Sequence, residues 1–600
     1  MRRRQNAKTY FLQALLLYPA VIWLAVRLAP VWGQSLPAIL QELEKALDAP
    51  FQIVLCPQTR SCVLLFSAGY AAAWALWVVT RLPTRYGEEH GSARWGDPAQ
   101  VRKKLAVRRF RRNRILTQHV RISYRFFRHR RNINTVVVGG SGAAKTRGYV
   151  MPNVLQNNCS QIILDPMGEI LRGCGRLLEA EGTAIKVLDL ISMKKSCHYN
   201  PFVYLRNEND VQMMATYVFS ATTPKGGVSQ DPFWDQAAEM LFKALVFYLF
   251  YEAPPEEQNF SMVLELLRCA AIENEDSPEP SITDILFHQL EEKDPNHIAV
   301  RYYRNYRAGA GKTLMSIQLV LAAKLEKFNL SSLAELTSTD DLDLRSLGER
   351  KTALFLRISD VDKSYNFLVA LLYNQITQQL FEAADLKHHG RLPVHVHFLM
   401  DEAANVKLPE ELESYISTSR KRNISFSLIL QNLTQLKAQF KDNWESIVGN
   451  CDEFLYLGGN EQSTHEFVSK QLGSETIWNR SSSLSRGVHG HASRSDQTAG
   501  RELLRPEEVR ALDNDYCILF IRGYPPLLDR KYDLLGHPKI KQTEMGGAAP
   551  YVHGTAQVQD ESENAQNAAN PTRPDQHEYT VLTEDELFHE LFGGNTNELS

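Results

Sequence analysis

The chain of 600 residues is 44% hydrophobic and 23% charged, which excludes a wholly disordered or collagen-like protein and leaves room for several domains. Its 67 basic and 69 acidic side chains give a formal net charge of −2, so bulk charge selects no partner. That balance hides an uneven layout, since Arg102 to Arg131 holds 13 Lys or Arg and no acid, while Gly554 to Ser600 holds ten acids and one Arg. Such asymmetry points to a membrane or nucleic acid near one end and a basic partner near the other. The eight cysteines form no CxxC pair, so neither a zinc site nor a disulfide framework is indicated, and most of the chain reads as living in a reducing compartment.

Two apolar runs come first. Tyr10 to Val26 is uncharged and continues past Arg27 to Trp32, and Cys62 to Thr80 is uncharged throughout. At about 1.5 Å per residue each is long enough to cross a bilayer core. Arg2, Arg3 and Arg4 precede the first run and Arg81 and Arg85 follow the second. The positive-inside rule therefore predicts a transmembrane hairpin over 1–85, with spans near 10–32 and 62–80, both ends cytoplasmic and the loop outside. Arg27 is expected to snorkel to the outer interface.

The basic stretch that follows interleaves Phe110, Tyr124, Phe126 and Phe127 with its arginines. Beside a membrane such a stretch serves anionic lipid and topology, and the aromatics add a second reading, stacking on unpaired bases.

Asn134 to Val138 is a short β-branched run leading into Gly139, Gly140, Ser141, Gly142, Ala143, Ala144, Lys145 and Thr146, and then into a helix-compatible stretch. Strand, glycine-rich turn and helix start are the context of a P-loop. There, backbone N–H groups face a phosphate, Lys145 reaches its oxygens and the Thr146 hydroxyl ligates Mg²⁺. One letter departs from the pattern, because Ala144 stands where glycine is expected, and alanine tolerates positive φ poorly. A second glycine-lysine string, Gly309 to Thr313, follows a polar aromatic segment rather than a strand and is predicted to be a helix junction.

Far downstream, Val394 to Met400 reads as a buried parallel strand ending in Asp401 and Glu402. A carboxylate at such a tip can complete the Mg²⁺ shell and a second can polarise the attacking water. A further strand, Ile424 to Leu430, closes on Gln431, placed to sense the γ-phosphate. Just before it lie Arg420 and Arg422, candidates for an arginine that enters a neighbouring subunit's site. Between the two halves, 208–339 is helix-patterned. Ser481 to Gly500 is predicted to be a mobile loop, and the chain beyond Pro538 a disordered acidic tail.

These motifs together resemble the TraG/TraD-type coupling proteins of bacterial conjugation and type IV secretion, in the branch found on integrative conjugative elements. The segments that carry the resemblance are His90 to Gly96, Val136 to Arg147, Ile163 to Ile170, Tyr199 to Phe202, Asp231 to Leu241, His397 to Val406, Ser419 to Phe440 and Ile518 to Gly523. Met167 and Ala403 depart from the family's habit of a lysine and an aromatic. The resemblance implies an α/β fold: a RecA-like motor domain over 86–207 and 340–538, an all-α domain inserted at 208–339, and a membrane-tethered homo-hexamer.

It also implies ATP and Mg²⁺ as cofactors. As partners it implies a relaxase and relaxosome proteins, single-stranded DNA, secretion-channel components and inner-membrane lipids. The expected function is ATP-driven delivery of relaxase-bound single-stranded DNA to a secretion channel. The alternatives are an ATPase receptor for protein effectors and a non-hydrolysing docking scaffold, for which Ala144 is the argument.

Overall fold

The computed structural model describes residues 7–80, 88–222, 232–271, 280–359, 362, 364–484 and 492–554, and the acidic tail beyond 554 lies outside them. The chain divides into two compact units, one made of 1–93 with 472–503 and the other of 94–471 with 504 onward. The span 340–538 expected for the motor is therefore interrupted.

In the first unit, helix Ala7–Leu28 pairs antiparallel with helix Thr59–Thr80. The Tyr70 hydroxyl donates to the Ala14 carbonyl at 2.9 Å and the Tyr18 and Ser67 hydroxyls meet at 3.0 Å. Among the described residues one segment, Leu12–Val31, is long and apolar enough to cross a membrane. Of the two spans expected from sequence, that test supports the first and leaves the second unconfirmed. Arg27 is buried rather than snorkelling, and its guanidinium donates to the carbonyls of Gln52 and Lys45.

The segment expected to be a mobile loop is instead largely a hairpin of strands Ser474–Leu484 and Ala492–Glu502. Polar sequence concealed it, because a strand pair without apolar alternation gives no strand signal. Its base pairs with the chain after the membrane segment: the Ala93 N–H donates to the Ser474 carbonyl at 2.9 Å, and Ser92 bridges Glu475.

The second unit is organised by a nine-stranded sheet. Its strands in chain order are β1 (Thr135–Val138), β2 (Ser160–Leu164), β3 (Ala184–Asp189), β4 (Thr352–Arg357), β5 (Val396–Met400), β6 (Ile424–Leu430), β7 (Glu453–Tyr456), β8 (Tyr516–Ile521) and β9 (Leu527–Arg530). The spatial order is β9-β8-β7-β1-β6-β5-β2-β4-β3. From β7 to β3 every pairing is parallel, and β8 and β9 add an antiparallel edge. β1, β2, β5, β6 and β7 are buried along their whole length, as strands covered on both faces must be. Between β3 and β4 the described residues are helical, from Glu208–Thr222 to Ser331–Ser338. The string Gly309 to Thr313 falls at the start of helix Gly311–Leu325, directly after helix Ile298–Arg307.

Two expectations for charged and terminal segments change. Part of the basic stretch is internal: Arg114 is fully buried, donates to the Ile133 carbonyl and the Thr135 hydroxyl, and pairs with buried Glu453 of β7. Arg121 stacks on Phe110 at 4.7 Å, and the Tyr124 ring lies against His395, so those two aromatics are spent inside the fold. The described part of the chain after Pro538 is tied to the fold: Lys539 pairs with Glu181 at 3.0 Å and the Tyr551 N–H donates to the Arg172 carbonyl.

Burial drives Glu453 upward to about 7, and Arg114 opposes that shift. Removing one member of so dry a pair strands the other, at a cost of about 3–5 kcal/mol, whereas replacing both with apolar residues is close to neutral. Arg114→Leu is therefore expected to lower the midpoint of thermal unfolding sharply, and Arg114→Leu with Glu453→Leu to recover most of the loss; equal losses would refute this account.

Candidate functional site

Register brings the site together. Val138 of β1 pairs with Leu430 of β6, and Met400 of β5 pairs with Leu428, so the P-loop, Asp401 and Gln431 leave the sheet at the same edge. The P-loop thereby becomes the neighbour of two strand tips that lie 255 and 285 residues beyond Thr146 in sequence, because β6 lies between β1 and β5.

The loop is seated by its own backbone. The Gly139 N–H donates to the Leu430 carbonyl at 3.0 Å and the Gly140 N–H to the Gly458 carbonyl at 2.8 Å. A Cβ on Gly139 would stand 3.0 Å from that of Leu457, so glycine is needed there by close approach. Gly142 turns through φ +75°, and Ala144 adopts φ +63°, the conformation its Cβ disfavours by roughly 1–2 kcal/mol. The alanine takes up a left-handed conformation that glycine adopts freely. Lys531, beyond β9, helps hold it by donating to the Ala143 carbonyl at 3.0 Å.

After Lys145 the helix begins as a π turn, Thr146–Val150, and continues as Met151–Gln156. Pro152 lacks an N–H and crowds the carbonyl four residues back, which accounts for the widened turn. Lys145 is largely buried and its ammonium donates to the Gly140 carbonyl at 3.1 Å. Desolvation lowers its pKa, against the pull of Asp401 and Glu402.

Thr146 donates to Asp401 Oδ2 at 2.8 Å. Asp401 is pushed up to about 6, chiefly by burial, and Glu402 and Asp165 add to the rise. The Glu402 N–H donates to Asp401 Oδ1 at 3.1 Å, and Glu402 itself takes φ +51°. Asn405 donates to Glu402 Oε2 at 2.7 Å and Gln431 to Oε1 at 3.5 Å. The structure thus joins Lys145, Thr146, Asp401, Glu402 and Gln431.

The two arginines part company. Arg422 grips Asp385 through Nε and Nη2 along one edge of its guanidinium and lies over Phe381 at 4.2 Å, so it is consumed within the chain. Arg420 is exposed, with one bond at 3.3 Å to the Arg130 carbonyl.

One acid escaped the sequence reading. Asp165, at the tip of β2, is fully buried, accepts the N–H groups of Ile170 and Leu171, and rises to about 6 by burial. Its place directly after an apolar run, like that of Asp401, was the available signal.

The residues present suit a magnesium nucleotide. Among the described residues the N–H groups of Gly142 and Ala144 meet no acceptor, leaving donors for phosphate oxygens. A buried carboxyl forced upward and a desolvated ammonium are what a cation and an anion, respectively, would relieve.

The family model described as type IV secretory system conjugative DNA transfer matches residues 108–543. Protein VirD4 of Rhizobium radiobacter is 26% identical over 472 residues, covering 76% of this chain and 66% of its own length. Conjugal transfer protein TraG of the same organism is 23% identical over 410 residues, covering 65% and 60%. This chain therefore spans less than two thirds of either relative. Among solved structures, the conjugative coupling protein TrwB with residues before 70 removed superposes with TM-score 0.53 at 16% identity, over 73% of this chain and 92% of that one. TrwB in complex with ADP and Mg²⁺ gives TM-score 0.52, also at 16% identity, over 74% and 93%. The sheet of this unit has the TrwB-like motor fold, and with most of its length under one family model the chain belongs to the type IV secretory system conjugative DNA transfer family.

Proposed function

We propose that this protein is an inner-membrane-anchored coupling ATPase that receives a relaxase bound to single-stranded DNA and drives the strand toward a type IV secretion channel. The observation that carries it is the closure of Thr146 on Asp401, with Lys145, Glu402 and Gln431 around it, at one edge of the sheet. Anchorage rests on the Leu12–Val31 helix, and the paired helix Thr59–Thr80 supports a multi-pass topology with the bulk of the chain cytoplasmic.

In this reading ATP is the substrate and Mg²⁺ its counter-ion, as TrwB is seen with ADP and Mg²⁺. Lys145 exchanges the Gly140 carbonyl for phosphate oxygens. Thr146 and Asp401 hold the ion, which when bound neutralises charge gathering on those oxygens. Glu402 takes the proton of the attacking water, and Gln431, already bonded to Glu402, orients that water. Arg420, exposed and lightly held, is the arginine offered to a neighbouring subunit of a homo-hexamer; Arg422 is withdrawn from that role. The helical segment 208–339 is read as an inserted all-α domain, and the exposed part of the basic stretch as a surface for membrane lipids.

The decisive measurement is ATP hydrolysis by the detergent-solubilised full chain with and without single-stranded DNA, paired with DNA transfer in cells. DNA stimulation, with both signals lost in Lys145→Ala, is expected. DNA-independent turnover would favour the protein-effector receptor, and no nucleotide binding at all the docking scaffold. Glu402→Gln is expected to leave nucleotide affinity nearly unchanged while lowering kcat by about 10²-fold or more, the signature of a group acting in the transition state. Ala144→Gly, which relieves a strained φ, is expected to raise the unfolding midpoint without loss of turnover; a fall in both would show that the alanine is required.

A further inference from the structure

Beneath the nucleotide edge the core of the sheet is polar where parallel sheets are ordinarily aliphatic. Tyr149, within the π turn of the P-loop helix, is fully buried, and its hydroxyl meets Ser427 Oγ of β6 at 2.8 Å. Ser427 Oγ lies 3.0 Å from Nε2 of His397 on β5, whose Nδ1 lies 2.5 Å from Ser425 Oγ. Ser425 Oγ lies 2.7 Å from Nε2 of His395, whose Nδ1 lies 3.0 Å from Asn423 Oδ1.

The direction of every proton in this series follows from its far end. Asn423 Nδ2 donates to the Leu392 carbonyl at 3.0 Å, and Arg391 Nη2 donates to Asn423 Oδ1 at 2.7 Å, which fixes the amide orientation. Oδ1 accepts only, so His395 carries its proton on Nδ1 and accepts at Nε2. Ser425 must then donate to His395 and accept from Nδ1–H of His397. By the same logic Ser427 donates to His397 Nε2 and accepts from Tyr149. Burial holds His395 down at about 3 and His397 well below its ordinary value, so both rings stay neutral with one donor and one acceptor each. The result is an unbroken, one-way chain from the P-loop helix through β6 and β5 to Asn423, which ends the turn Ser419–Arg422.

We propose that Tyr149, Ser427 and His397 are positioning residues that hold the P-loop helix in register with the strands bearing Asp401 and Gln431. His397 stands four residues before Asp401, and Ser427 four before Gln431, so each anchors its strand about 13 Å below the group it presents. Aligned hydrogen bonds in a dry interior reinforce one another, and removing a member leaves its neighbour with an unpaired buried donor or acceptor. The chain's far end also fixes Asn423 at φ +69°, directly after Arg420 to Arg422, which ties the arginine turn to the same frame.

The inference rests on the ATPase reading, and its test separates the two. Tyr149→Phe removes one oxygen and keeps the ring; Ser427→Ala breaks the relay; the double variant removes both. In the full-length protein, affinity for ADP with Mg²⁺ should stay within about twofold while kcat for ATP falls about tenfold, the cost of a small misplacement. The double variant should be no worse than Ser427→Ala alone. Unchanged kcat in an active wild-type background, or losses that multiply in the double variant, would overturn the inference. A wild type without turnover would overturn the ATPase reading, and the chain would then be judged on thermal unfolding midpoints, where additive shifts of the two single variants refute it and saturation in the double variant supports it.

Discussion

The hydrogen bond from Thr146 to Asp401 spans 255 residues of sequence, and it exists only because β1, β6 and β5 are adjacent, parallel and level at their carboxyl ends. Parallel strands cannot be joined by tight turns, so the intervening chain must travel, and here it travels through a long helical excursion between β3 and β4. Everything chemical about the molecule depends on that return. A strand displaced by one place in the order would part the hydroxyl from its carboxylate and leave Lys145 with its loop carbonyl alone.

Charge has been distributed to defend this arrangement. Arg114 comes from a stretch whose composition speaks of membrane or nucleic acid, yet it lies wholly inside and braces β1 against β7 through Thr135 and Glu453. Arg131 reaches the Arg522 carbonyl and stacks on Tyr524, fastening the same stretch to the antiparallel edge. Thirteen positive residues between Arg102 and Arg131 are therefore not thirteen positive residues on a surface. Those facing solvent are the only ones available to a headgroup or phosphate.

How much of this could be read beforehand follows from which interactions are local. Strands β1, β5 and β6 and the residues at their tips were legible, because a β-branched or apolar run ended by glycine, acid or amide is a local signature. Arg422 was not separable from Arg420, since its fate is decided by Asp385, a residue on another element. Asp165 carried the same signature as Asp401 but sat inside a motif noticed only for its resemblance. The ribbon 474–502 and the ordered stretch after Pro538 were hidden because their order comes from partners elsewhere in the chain, Ala93 for one and the helix Glu169–Ala180 for the other. Ala144 was legible as part of the turn but its conformation was not: φ +63° accompanies bonds from Gly139, Gly140 and Lys531 to or from other segments.

The pairing of residues 90–93 with the base of the ribbon has a mechanical meaning. His90 donates its N–H to the Thr476 hydroxyl at 3.0 Å, Ala93 bonds Ser474, and Leu503 closes the far strand on Gly473 at 2.9 Å. A pull arriving along the backbone from the N-terminal helices would therefore load the Ala93–Ser474 peptide hydrogen bond and the His90–Thr476 side-chain bond together with the chain itself. The membrane end of the chain is stitched rather than leashed.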